Sequence, residues 1–244
     1  MTMPRVSPLR LEREHAREKL EGFAYGTVRA AAIVSEPLHP VAPRPGPWLA
    51  TIESYAGVDV LCIVASRGCP PLARAGCVAA LAELGVKAVF LLGEGMPIGP
   101  FPGSSTIIAV EDHINLLGDN PLIGPHDLSL GPRFPEMSEA YSKTLLRNAQ
   151  PFLRHGYCIY AGCPFESLGN GKYCQRLLSF GAQLGGPWIV PEVVAARQAA
   201  METLAFVVPS RANYSPREGA SRESESVYRE FKEITAHVLE SIRA

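Results

Sequence analysis

The sequence has almost no excess charge of either sign. Its 23 Lys and Arg stand against 24 Asp and Glu, a formal charge of −1. That balance gives no electrostatic footprint for nucleic acid or for an anionic membrane surface. No apolar run approaches the roughly 20 residues needed to span a bilayer. The N-terminus carries Arg5, Arg10, Glu12, Arg13 and Glu14 with no apolar stretch behind them, which argues against a secretory signal. The expectation is a cytoplasmic protein with neither nucleic acid nor membrane as partner. The six Cys, at 62, 69, 77, 158, 163 and 174, include no CxxC pair and no His at finger spacing. Most sit in apolar runs such as Leu61-Cys62-Ile63 and Tyr157-Cys158-Ile159. Buried free thiols are therefore expected, with no disulfide frame and no metal.

What is present is apolar content enough for a sizeable core. Of 244 residues, 47% are hydrophobic and 19% charged, which excludes a disordered chain. Residues 1–22 read as a charged N-terminal segment holding a helix from Leu9 to Leu20. Residues 23–244 read as one domain. Apolar runs predict strands over 28–34, 58–64, 86–92, 106–110, 157–161 and 204–208. Helices are expected over 72–84, 136–152, 172–180 and 191–201. The last element is an amphipathic helix over 227–243, where Val227, Phe231, Ile234, Val238 and Ile242 recur at threes and fours. Five prolines between Pro37 and Pro47 mark a loop, as do residues 93–103 and 115–135. The alternation argues for an α/β fold with a mixed, mostly parallel central sheet flanked by helices. In such sheets ligands sit beyond the carboxyl ends of the strands. The loops to inspect then begin at Ser35, Ser66, Gly93, Asp112, Gly162 and Ser210.

Motifs in those loops point to one family. Asp112-His113-Ile114-Asn115-Leu116 is followed by Asn120-Pro121-Leu122-Ile123-Gly124 and by Gly131-Pro132-Arg133-Phe134-Pro135-Glu136-Met137-Ser138. Ala161-Gly162-Cys163-Pro164-Phe165-Glu166-Ser167 and Val190-Pro191-Glu192-Val193-Val194-Ala195-Ala196-Arg197 come next in order. This series resembles the trimeric purine nucleoside phosphorylases and their methylthioadenosine phosphorylase relatives. It covers residues 76–210 well and both ends weakly. The resemblance implies a nucleoside phosphorylase-like domain and a homotrimer. It also implies phosphorolysis of a purine nucleoside to free base and pentose 1-phosphate, with inorganic phosphate as co-substrate and no other cofactor. Glu166 matches the carboxylate that holds the base, with Phe165 and Tyr157 as base-side aromatics. Phe134 matches a residue lent to the neighbouring subunit. From the residues alone, Glu166 also reads as a helix-start carboxylate near Asn170.

The phosphate side departs from the family pattern. Ser35 and Arg67 remain at phosphate-binding positions, but Glu36 replaces the glycines beside Ser35, and Glu94 brings a second negative charge. Trp188 stands where a phosphate-binding hydroxyl is expected, as a sugar-side or pocket wall. Arg211 stands where an Asn or Asp would bond the base, so it is a base or anion contact that only donates. His113 is expected to be a hydrogen-bonded structural residue, and Arg133 to pair with a carboxylate. Two further readings follow from these departures. One is an inactive relative that binds a nucleoside or joins an assembly, including a hetero-oligomer with an active paralogue. The other is a nucleosidase that uses water.

Overall fold

The computed structural model describes residues 7–20, 23, 28–35, 38–39, 48–66, 68–99, 107–210 and 222–242. The charged N-terminal segment does form a helix, α1 (Pro8–Leu20). Its Leu9, Arg13, Ala16 and Leu20 recur at four, three and four, and all are buried. Strand β1 (Ala30–Ser35) is buried along its whole length. Strand β2 (Trp48–Tyr55) falls in a half-exposed stretch where apolar periodicity gives no strand. It is made by its turn: Ala56 and Gly57 have φ of 49° and 80°, the left-handed pair that matches the twist of a two-residue hairpin. The hairpin returns as β3 (Val58–Ala65), in register from Tyr55 opposite Val58. Helix α2 (Pro71–Glu83) follows, and α1 is tied to it by Arg13 and Glu83 at 2.8 Å.

Strands β4 (Ala88–Pro97) and β5 (Ile108–Asn115) run further than expected. Gly93 to Pro97 and Asp112 to Asn115 are strand, not loop, because their backbone groups find ladder partners on neighbouring strands. The helix expected over 136–152 is shorter. Glu136 accepts the Ser138 N–H at 2.9 Å, which folds a turn. Ser142 then caps α3 (Lys143–Ala149), accepting from the Leu145 N–H, and one 3-10 turn, Gln150–Phe152, ends it. Next come β6 (Tyr157–Gly162), α4 (Gly171–Ser179), β7 (Ala182–Gly186), α5 (Val190–Gln198), β8 (Glu202–Pro209) and α6 (Arg222–Ser241). The sequence of β7, Ala-Gln-Leu-Gly-Gly, carries too little apolar pattern to announce a strand.

The sheet runs β2-β3-β1-β4, and β4 pairs with both β8 and β7. Since β8 pairs with β5, β5 with β6 and β6 with β7, these five strands close into a ring. Pairings β1–β3, β1–β4, β4–β8, β5–β6 and β6–β7 are parallel, and the other three antiparallel, so the mixed, mostly parallel expectation holds. The β4–β7 contact is confined to Met96–Gly185 and Pro97–Leu184, at the carboxyl ends of both strands. That overlap brings the carboxyl ends of two oppositely directed strand groups to one place. Among the described residues, no helix is long and apolar enough to cross a membrane. All six cysteines are free thiols, five of them buried.

Candidate functional site

A cavity of about 360 Å³ opens where those carboxyl ends meet. Leu72 follows β3, Asp119 and Asn120 follow β5, Phe165 and Glu166 follow β6, and Pro187 follows β7. The chain reaches it from β6 through Pro164 into a short 3-10 helix, Phe165–Gly169. Asn170 then caps α4, accepting from the N–H groups of Lys172 and Tyr173 at 3.0 and 3.2 Å. Asn170 is thus the cap of α4, while Glu166 lies in the first turn of the 3-10 helix, the helix-start position also expected for it. The Glu166 side chain is exposed at the cavity, and no hydrogen bond or ion pair among the described residues engages it. A carboxylate in that state is an available acceptor for a ligand N–H.

Phe165 is set by its neighbours. A side chain at Gly186 would place Cβ 2.6 Å from the Tyr160 hydroxyl and 3.0 Å from the Phe165 ring, so only glycine lets the ring lie against β7. Behind it stands Trp188, buried at 6% exposure, its ring 6.2 Å from that of Phe165 and edge-on at 69°. The Arg74 guanidinium lies 4.9 Å over the Trp188 ring, and its Nε donates to Glu192 Oε1 at 2.6 Å. Between Trp188 and α5, Ile189 has φ 72° and ψ −56°, and the Val190 N–H bonds the Trp188 carbonyl at 2.8 Å. This is the strained form of the three-residue turn, rare for a β-branched residue. Strain of that kind persists where surrounding structure over-determines it.

Not every residue singled out from sequence reaches the cavity. Tyr157 lies at the opposite end of β6, roughly 16 Å away at about 3.3 Å per residue, and its hydroxyl bonds the Leu146 carbonyl at 3.4 Å. Its expected base-side place is not supported. Trp188 backs Phe165 instead of lining the cavity. Ser35 ends β1 at 3% exposure, and its hydroxyl has no partner among the described residues. The register of β1 with β4 ends at Val34 opposite Leu92, and at the next β4 position, Gly93, a Cβ would sit 3.3 Å from the Ile189 side chain and 3.9 Å from Trp188. Phe134 is 86% exposed, with the Arg133 guanidinium 5.9 Å from its ring centroid. Arg133 donates to the Gly124 carbonyl at 2.6 Å and not to a carboxylate as expected. Glu36, Arg67 and Arg211 lie outside the described residues. Sequence reasoning missed Arg74, whose only signal is a charge inside an apolar helix run.

The family model for the phosphorylase superfamily matches residues 24–243. Purine nucleoside phosphorylase 1 of Geobacillus stearothermophilus is 42% identical over 111 residues, which is 42% of this chain and 39% of that protein. The Mus musculus purine nucleoside phosphorylase is 33% identical over 136 residues, 50% of this chain and 46% of its own. The matched stretch thus spans less than half the length of these relatives. Among solved structures, a Schistosoma purine nucleoside phosphorylase in complex with guanosine superposes with TM-score 0.69, covering 98% of both chains at 18% identity. The Schistosoma mansoni enzyme with inosine gives 0.70 over 97% of both chains at 17% identity. At that identity the likeness speaks for the fold. The chain belongs to the phosphorylase superfamily, and the relatives it matches there are purine nucleoside phosphorylases.

Proposed function

We propose that this chain binds a purine nucleoside in the Phe165–Glu166 cavity and cleaves its glycosidic bond by phosphorolysis. The observation that carries the reading is Glu166, a carboxylate unengaged among the described residues, beside an aromatic ring in a cavity at converging strand ends. In this reading the carboxylate accepts from the purine ring, and Phe165 covers its face. Hydrogen bonding to the base strengthens as negative charge grows on it while the sugar becomes cationic, which favours the transition state over the ground state. Inorganic phosphate is the co-substrate. The proposal includes a homotrimer in which the exposed Phe134 reaches a neighbour's site.

A second reading is a nucleoside-binding relative without turnover. It is favoured by Ser35, whose 3% exposure leaves its hydroxyl little access to an anion. One experiment separates the two. Purified protein is incubated with inosine, guanosine, adenosine and methylthioadenosine, with and without phosphate, and free base is read by chromatography. Base release that requires phosphate supports phosphorolysis. Calorimetric binding of a nucleoside without release supports the second reading. Neither release nor binding overturns both.

A further inference from the structure

Arg74 contributes nothing to the cavity lining, yet a continuous line of contacts joins it to the base side. We propose that Arg74 is a positioning residue for the purine pocket: anchored by Glu192, it fixes the Trp188 indole, and Trp188 fixes the Phe165 ring. The inference rests on the purine reading above and deepens it.

Each link is short. Glu192 holds the guanidinium Nε at 2.6 Å, the guanidinium carbon lies 4.9 Å from the indole centroid, and the indole meets Phe165 at 6.2 Å. Arg74 and Glu192 are 2% and 1% exposed. The Arg74 Nη1 and the Glu192 Oε2 are buried without a partner among the described residues. Among the described residues, the guanidinium is therefore oriented by one charged hydrogen bond and one ring face. Such a pair is a poor stability device, because burying two charges costs about what their attraction returns. Its planar geometry suits a positional role. A guanidinium stacks on an indole and bonds edge-on to a carboxylate at once, which an ammonium does not do. The strained turn at Ile189 agrees, since it follows Trp188 directly and such strain persists where surrounding contacts over-determine the backbone. A preset Phe165 has less freedom to lose when a base arrives, and affinity gains by that amount.

The chain has two tryptophans, so a Trp48→Phe background makes Trp188 the only emitter. In that background the Arg74→Met/Glu192→Gln double variant removes the pair without leaving a bare buried charge. Arg74→Lys keeps the charge and loses the plane. Trp188 emission and acrylamide quenching are read without ligand, and hypoxanthine and guanosine are then titrated by calorimetry. The expected result is altered Trp188 emission and quenching in both variants, with purine Kd weakened about three- to tenfold, the worth of one aromatic contact. Unchanged emission and quenching overturn the inference, as does an unchanged Kd where the unaltered chain binds. If the unaltered chain binds neither probe, the purine reading fails instead, and ligand-free Trp188 emission alone decides whether Arg74 positions the indole. Should the double variant not fold, Arg74→Lys carries the same test.

Discussion

His113 Nδ1 lies 3.1 Å from the Tyr141 hydroxyl, and the two rings meet edge to face at 5.7 Å. The pair ties the end of β5 to the turn that precedes α3, and so braces the long segment that carries Asp119 and Asn120 into the cavity. Burial lowers the His113 pKa below its ordinary 6.5, and nearby Asp112 only partly opposes this. The neutral ring is therefore favoured in the folded state. Its contribution to stability is present above the unfolded value near 6.5 and is lost as pH falls through the lower folded value. Urea unfolding at pH 7.5 and 5.5 is expected to show lower stability at 5.5. A His113→Gln variant should show a smaller difference between the two, and an equal difference would contradict the assignment.

Glu166 is exposed and, among the described residues, unengaged, so its removal should cost function and not fold. Glu166→Ala is expected to leave the thermal midpoint within about 1 °C, as surface changes do. Purine affinity should weaken at least about tenfold, the worth of a charge-assisted hydrogen bond. Calorimetry beside a melting curve checks both halves. Retained affinity would move the base elsewhere.

Gly186 carries the contact between β7 and Phe165. Gly186→Ala would drive a methyl toward the Tyr160 hydroxyl at 2.6 Å and the Phe165 ring at 3.0 Å. Overpacking of this kind costs about 1–3 kcal/mol. A lower thermal midpoint together with weaker purine binding is the expected pair of results. A drop in stability with unchanged binding would mean that Tyr160 yields and Phe165 does not move.

Trp188 is buried against the Phe165 ring and the Arg74 guanidinium, so shortening it should open space beside that cation. In Trp188→Ser, removal of a buried aromatic costs stability by about 3–5 kcal/mol. Base release is nonetheless expected to respond to lower phosphate concentration than in the unaltered chain, because space and the Arg74 cation become accessible together. Rates at graded phosphate check it. A weaker response to phosphate would assign Trp188 a supporting role in turnover instead.

Much of the architecture was legible in the sequence. Ala30 to Val34, Leu61 to Val64 and Leu204 to Val208 are continuous apolar runs of the kind that buried strands carry, and all three are buried strands with at least one parallel neighbour. The periodic apolar residues of α6 and the Gly181 stop after α4 were equally local signals. The Phe165–Glu166 pair was legible too, since its place after an apolar strand follows from the chain itself. Strands β2 and β7 were not. A half-exposed edge strand and a glycine-rich one have little apolar pattern, and their existence depends on partners distant in sequence.

By itself the sequence determined which segments seek burial, the order of those strands and helices that carry an apolar pattern, and the residue types offered at strand ends, because these follow from local spacing and side-chain chemistry. Only the tertiary structure decided which of those residues meet. The ring closure of β4, β8, β5, β6 and β7 brings two opposed sets of carboxyl ends to one cavity, while Tyr157, five residues before Gly162, is left at the far end of β6. The fold also sets Arg74 of α2 against Glu192 of α5, 118 positions apart, with the guanidinium 4.9 Å over the Trp188 ring. Contacts of that separation depend on how the whole chain folds back on itself, and no local pattern encodes them.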